Sequence, residues 1–256
     1  MTTTNRENGS LYTKIDQKVA TIEFGHPSSN SFPSELLNRL AKAFDELSNN
    51  NDVSVIILKS EGEKAFCAGA SFDELIAIDN LKDGKEFFSG FANVINAMRK
   101  CNKLIIGRVQ GKIVGGGVGL AAACDYVFAT EAASIKLSEL SIGIGPFVIA
   151  PAVERKIGVS ALAELTLDAT NWQNAYWAKE KGLFAKVLDS ITELDKALEF
   201  FTEKLATYNP EALLEMKKAL WKNTENWDTL LIENAEVSGK LVLSEFTKKA
   251  LLKFKK

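Results

Sequence analysis

Apolar residues recur along this chain at two periods, and the switches between them mark out the elements. Residues 11–24 alternate polar and apolar side chains in two pieces with a turn near Asp16 and Gln17, the pattern of a hairpin. A polar loop follows over residues 27–33, and Pro33 is well placed to open a helix. Leu36, Leu37, Leu40, Phe44 and Leu47 then repeat at helical spacing, and residues 49–52 break the pattern. Residues 53–59 are almost continuously apolar, as in a parallel strand covered on both faces. Residues 65–70 read as a second strand ending in a glycine kink, and residues 71–78 as the start of a helix. A long helix is expected over 84–98, with Phe87, Phe88, Phe91 and Ile95 on one side. Leu104–Val109 is the next strand, then a bend at Gly115, Gly116 and Gly117, a helix start, and a strand over 126–129.

Strands alternating with helices imply βαβ units and a mainly parallel core, hence an α/β fold. After residue 150 the pattern becomes helical, over 159–167, 174–181, 194–205, 210–222 and 226–254. That stretch has too few strands for a second α/β domain. It reads as a helical layer, partly packed on the sheet and partly available to a neighbouring subunit. Trp172, Trp177, Trp221 and Trp227 fall in it and read as packing residues at helix contacts or an interface.

Composition narrows the function. The chain has 256 residues, 46% of them hydrophobic, enough for one sizeable core. A net charge of -2 and a sequence pI near 5.7 give no nucleic-acid footprint, and the basic tail over 248–256 reads as a solvated helix end. Cys67, Cys101 and Cys124 lack metal-ligand spacing. Their odd number, with no apolar leader near the N-terminus, points to a reducing, cytoplasmic setting. The longest uncharged apolar run, 142–153, is too short to span a bilayer. The one histidine, His26, precedes Pro27 at a strand end and reads as a loop residue, so acid–base chemistry falls to carboxylates.

Two loops share a design. Ala68, Gly69 and Ala70 follow one apolar strand; Gly115, Gly116 and Gly117 follow another. Both offer free main-chain N–H groups, and glycine lets a ligand approach the backbone closely. Two such bends at one sheet edge can aim two donors at one carbonyl oxygen, an oxyanion hole. Downstream, Glu139 stands among Leu137, Leu140 and Ile142. On its own it reads first as an N-cap or first-turn helix acid; beside two donor loops, with histidine nearly absent, it becomes the candidate catalytic residue.

The stretches AFCAGASFDEL and GKIVGGGVGLAAACDYVFATEAASIKLSELSIGIGP resemble the two signatures of the crotonase family, the enoyl-CoA hydratase/isomerase superfamily. The resemblance spans nearly the whole chain and implies a crotonase-like spiral of ββα units. It implies a core over 1–195 and a C-terminal helical trimerisation region over 196–256, in a homotrimer or dimer of trimers. It implies an acyl-CoA thioester substrate whose oxygen meets the amides of Ala70 and Gly116, with Ser29, Ala68, Gly69, Ser71, Phe72, Gly115, Gly119, Pro146 and Phe147 binding the thioester or its coenzyme A. Phe147 is placed at the acyl end. Lys253 and Lys255 are candidates for the coenzyme A phosphates. No cofactor or metal is expected beyond the coenzyme A carried by the substrate, and neither a nucleic acid nor a membrane partner.

Departures from the family pattern refine this. Hydratases with two carboxylates carry a glutamate where this chain has Gly119. Ser71 replaces the usual aspartate, and the loop after Glu139 is bulky: Pro146, Phe147, Val148, Ile149. The pattern most resembles the methylglutaconyl-CoA hydratase-like branch. The expected activity is hydration or dehydration of a short or branched enoyl-CoA by one glutamate. Double-bond isomerisation is the rival, and a non-catalytic acyl-CoA-binding relative the third reading.

Overall fold

The computed structural model describes residues 8–253; Lys255 lies outside them. Strands β1 (Ser10–Asp16) and β2 (Val19–Gly25) form the expected antiparallel hairpin, with Gln17 and Lys18 turning at positive φ. The chain then repeats one pattern. A strand enters a large sheet, a short strand enters a small sheet, and helix follows. After α1 (Ser34–Ser48), the first turn is β3 (Val55–Ser60), β4 (Ala65–Cys67), α2 (Phe72–Ala77) and α3 (Leu81–Lys100). The second is β5 (Leu104–Val109), β6 (Lys112–Val114) and α4 (Gly116–Ala123). The third is β7 (Tyr126–Thr130), β8 (Ser134–Lys136), a 3-10 turn (Glu139–Ile142) and α5 (Ala150–Leu167). Next come β9 (Gln173–Asn174), α6 (Ala175–Glu180) and β10 (Lys186–Leu188). The chain closes with α7 (Ile191–Ala206), α8 (Pro210–Leu220), α9 (Trp227–Leu241) and α10 (Glu245–Leu252). The large sheet runs β1-β2-β3-β5-β7-β10, parallel beyond the hairpin, and the small sheet runs β4-β6-β8-β9. This is the ββα spiral.

The near-continuous apolar strands are covered on both faces, as their composition requires. Ile56, Leu58 and Ile105 face the main core with α1, α3 and α4. Val55, Ile57, Ile106 and Phe128 face the other way, against Leu194 and Leu198 of α7. At the junction of α4 and β7, Asp125 accepts hydrogen bonds at 2.7 Å from the Ile105 amide, Lys217 Nζ and Trp221 Nε1. Lys156 Nζ reaches its carbonyl at 2.9 Å. Asp125 thus ties α5 and α8 to the large sheet, α8 through its buried carboxylate and α5 through its carbonyl. Trp221 and Trp227 pack edge to face at 5.8 Å, the helix-contact role expected of them.

Several expectations need correction. The strand expected over 65–70 ends at Cys67, because residues 68–70 bend. The short strands β6, β8, β9 and β10 carry too few residues for a readable period. Helix α5 begins at Ala150 and kinks at Gly158, so the helix expected over 159–167 is its second half. The helix expected over 226–254 breaks into α9 and α10 at residues 242–244, and Phe254 lies outside the described residues.

Helix α9 lies along α3 with backbone nearly touching backbone. A Cβ added at Gly239 would fall 2.7 Å from the Lys85 amide nitrogen and 2.9 Å from the Gly84 carbonyl carbon. Neither atom can move without shifting α3. Gly239→Ala is therefore expected to lower unfolding free energy by about 1–3 kcal/mol, read from the urea midpoint.

Candidate active site

The first small-residue bend is fixed from outside. The Phe32 amide donates to the Gly69 carbonyl at 2.8 Å, and the Ser71 amide donates to the Phe32 carbonyl at 2.9 Å. These two bonds make an isolated parallel bridge between Phe32 and Ala70. In a parallel ladder one residue bonds the two neighbours of its partner, so the partner's own N–H and C=O point the other way. The Ala70 amide is thereby turned away from Phe32. The Ala68 amide is used by the Ser29 carbonyl at 3.1 Å, and Gly69 N–H meets Cys67 Sγ at 3.3 Å. Gly69 sits at φ 91°, which favours glycine.

The second bend opens α4. Gly115 has φ 55° and donates its amide to the Lys136 carbonyl at 3.0 Å. Gly116 is the first helical residue, so its N–H has no intrahelical acceptor. The Phe91 ring lies directly over Gly116, leaving no room for a Cβ. Among the described residues, neither the Ala70 nor the Gly116 amide has a main-chain partner. The bends abut: a Cβ added at Gly69 would lie 3.7 Å from the Gly116 nitrogen.

Glu139 begins the 3-10 turn after β8. Its carbonyl accepts from the Ile144 amide at 3.0 Å, closing the turn. Phe246 and Thr247 of α10 press on Gly143 at its end. The side chain points back to the glycine bend: a Cβ on Gly115 would lie 3.1 Å from Glu139 Oε1. The residue as a whole is half-buried, yet Oε2 is sealed from solvent and, among the described residues, has no hydrogen-bond partner. Burial of the charged form raises its pKa from 4.5 to about 7, only partly opposed by its own amide.

These groups share one cavity of about 430 Å³. Ala68, Gly69, Ala70, Gly115, Gly116, Glu139, Phe72 and Pro146 all line it. Leu75, Phe87, Phe88 and Phe91 give it an apolar wall, with Ile142, Ile144, Val148 and Ile149; Lys136, Ser138, Ser141, Trp172 and Ser238 add polar groups. Glu139 is the one carboxylate among the described lining residues.

Four expected site residues lie outside the lining. Ser29 holds the Ala68 amide through its carbonyl and is otherwise exposed. Ser71 caps α2, accepting from the Glu74 amide at 3.4 Å. Gly119 is buried one turn into α4, where a Cβ would fall 2.6 Å from Ile149 Cβ. Phe147 folds its ring onto Gly145 and does not line the cavity, while Asn234 Nδ2 donates to its carbonyl at 2.9 Å; the apolar wall comes from the α3 phenylalanines. His26 stays in the loop after β2, where its ring Nδ1 accepts from the Ser28 amide at 3.2 Å. Lys253 ends α10 and does not line the cavity. Sequence reading missed Phe32, whose bonds are non-local, and Lys136 and Trp172, which no short motif marks. Among the described residues no cluster could hold a metal ion, and no helix is long and apolar enough to cross a membrane.

The family model described as enoyl-CoA hydratase/isomerase matches residues 14–255. The chain belongs to that family, the crotonase superfamily. Among curated relatives, the short-chain-enoyl-CoA hydratase of Clostridium acetobutylicum is 28% identical over 97% of this chain and 95% of the relative. The peroxisomal Delta(3,5)-Delta(2,4)-dienoyl-CoA isomerase of Arabidopsis thaliana is also 28% identical, over 82% of this chain and 80% of its own. The mitochondrial methylglutaconyl-CoA hydratase of Mus musculus is 31% identical over 74% of this chain and 60% of the relative. In fold, the crystal structure of enoyl-CoA hydratase from Bacillus halodurans superposes with a TM-score of 0.87, covering 95% of this chain and 99% of that one at 21% identity. Family membership is consistent with an acyl-CoA substrate. It does not separate a hydratase from an isomerase, since relatives of both kinds match equally well.

The buried acid sets a pH signature. Folded Glu139 keeps its proton to about pH 7, whereas an ordinary glutamate loses it near 4.5. The folded state therefore loses stability as pH rises from about 4.5 to 7, and the loss is complete above that range. Glu139→Gln removes the loss. Its unfolding free energy should match wild type near pH 4 and exceed it above pH 7 by on the order of 1–3 kcal/mol in denaturant titrations.

Proposed function

We propose that the protein adds or removes water across the α,β double bond of a short or branched enoyl-CoA thioester. The thioester oxygen sits between the Ala70 and Gly116 amides. As the α carbon becomes enolate-like, negative charge gathers on that oxygen and the two N–H groups stabilise it. Glu139 takes a proton from water as its oxygen bonds to the β carbon, then returns the proton to the α carbon. The reverse sequence releases water. The observation that carries this reading is Glu139 itself. It lines the same cavity as Ala70 and Gly116, its buried Oε2 has no partner among the described residues, and its pKa lies near the working range of a proton shuttle.

Double-bond isomerisation is the second reading. It is favoured by the absence of another carboxylate among the described lining residues, with Gly119 where two-carboxylate hydratases have glutamate. One acid suffices to carry a proton from the α to the γ carbon. The family's assembly habit adds a homotrimer or dimer of trimers built through residues 196–256 to this proposal, and a cytoplasmic setting goes with it.

Turnover of a thioester panel in heavy-oxygen water separates the two reactions. Label in the product of a 2-enoyl thioester is the expected result; a label-free shift of a 3-enoyl double bond would establish the isomerase instead. Glu139→Gln should lower kcat by about 10²–10⁴-fold while acyl-CoA still binds. Full turnover in that variant would remove Glu139 from the mechanism.

A further inference from the structure

Two side chains of the cavity lining each bury a polar atom with no hydrogen-bond partner among the described residues. One is Glu139 Oε2, which the proposed reaction uses. The other is Ser238 Oγ, which it does not. Ser238 lies in α9 and is 1% exposed. A serine or threonine inside a helix ordinarily points to solvent or returns its hydroxyl to the carbonyl one turn back. Ser89 and Thr202 do the latter, donating to the Lys85 and Leu198 carbonyls at 2.7 and 3.0 Å. Ser238 does neither, and a buried hydroxyl left alone is costly. Helix packing does not require it, since alanine would bring α9 as close to α3 without burying an oxygen.

The neighbours one turn away share its helix face and locate it. Asn234 donates through Nδ2 to the Phe147 carbonyl at 2.9 Å. Val242 packs with Leu75, Phe87 and Ile144. Ser238 stands between them, against the apolar wall that Leu75, Phe87, Ile144 and Val148 give the cavity. The charged lining residues, Glu139 and Lys136, are engaged elsewhere: Glu139 turns back to Gly115, and Lys136 Nζ lies 5.4 Å from the Trp172 ring centroid. Lys85 and Lys240, on the same two helices as the wall and Ser238, both pair with Glu236 and do not line the cavity.

Resting on the enoyl-CoA reading, we propose that Ser238 is a specificity residue whose hydroxyl bonds an uncharged oxygen, a hydroxyl or a keto group, carried by the acyl chain beyond the β carbon. A hydroxyl both donates and accepts, so it serves either group. The apolar wall takes the methylene groups on the way. A hydrocarbon tail would leave Ser238 Oγ as solitary as it is without substrate.

The test is calorimetric binding of two matched pairs of thioesters to the full chain. One pair is 4-oxopentanoyl-CoA and 4-methylpentanoyl-CoA; the other is 5-hydroxypentanoyl-CoA and hexanoyl-CoA. Within each pair an oxygen replaces a carbon. Ser238→Ala should lower the relative affinity for the oxygenated member at least about fivefold in one pair or both, the worth of one neutral hydrogen bond. The all-carbon members should bind the variant as they bind wild type. Its urea midpoint should rise, because a solitary buried hydroxyl has gone. An unchanged preference in both pairs would overturn the assignment. So would an equal loss for both members of each pair, which would mark Ser238 as a packing contact only, or a lowered urea midpoint, which would mean that its hydroxyl has a partner within the protein. The readout does not depend on turnover. A protein that shows the shift yet turns over no thioester keeps this site and loses the hydratase reading, and a wild type that binds none of the four thioesters loses both.

Discussion

The pairing of Phe32 with Ala70 governs the geometry of everything around the cavity. Two main-chain bonds, each under 3 Å, spend the Gly69 carbonyl and the Ser71 amide on Phe32. They leave the residue between with its N–H on the other side. A bend of alanine and glycine could not hold that direction unaided, because it has almost no side chain to pack. The side chain of Phe32 secures the arrangement from below. It lies tilted against Phe24 at 4.7 Å and meets Phe91 edge to face at 6.0 Å, while Phe66 meets Phe24 edge to face at 5.3 Å. Phe91 in turn covers Gly116. The same aromatic column therefore sets the position of both free amides, although their bends are far apart in sequence.

Two buried acids in this chain are treated in opposite ways, and the contrast separates structure from chemistry. Asp125 accepts three short side-chain or backbone bonds and faces Lys217, itself 3% exposed at the side chain. A buried charge so partnered is a fixed joint; removal of its partners would leave an uncompensated charge costing several kcal/mol. Glu139 has a sealed oxygen with no partner among the described residues. The fold tolerates that because the 3-10 turn is pinned at both ends, by the Ile144 amide and by α10 at Gly143. Strain of this kind is expected where a group must change protonation during its work.

Much of the fold was legible because it rests on local periodicity. The hairpin, α1, β3, α3 and β5 all follow from spacing of apolar residues, and the glycine bend from composition. The short strands of the small sheet were not. Three residues such as those of β6 and β8 carry no readable period, and their pairing depends on strands brought together by the spiral. The cavity lining was legible where residues sit in a motif, as Ala70, Gly116 and Glu139 do, and opaque where it depends on packing. Phe147 looked like a pocket residue from its place after Pro146, but the ring turns onto Gly145. Phe87, Phe88 and Phe91 were assigned to one side of α3 without any sign of what that side would face.

The packing of Gly119 explains why the single-acid site is a property of the core and not of one position. A side chain there would drive its Cβ to within 2.6 Å of Ile149 Cβ, in a helix whose residues from Gly117 to Ala123 are all buried. Ile149 belongs to the bulky run after Pro146 and is itself 3% exposed. A glutamate at 119 would need Ile149 to shrink and the start of α5 to shift, since its Cβ would fall against the Ile149 and Ile95 side chains. Glu139 is therefore the one carboxylate among the described lining residues for steric reasons as well as by composition. A reaction needing two carboxylates at once would require the segment from Pro146 to Ile149 to be rebuilt together with α4.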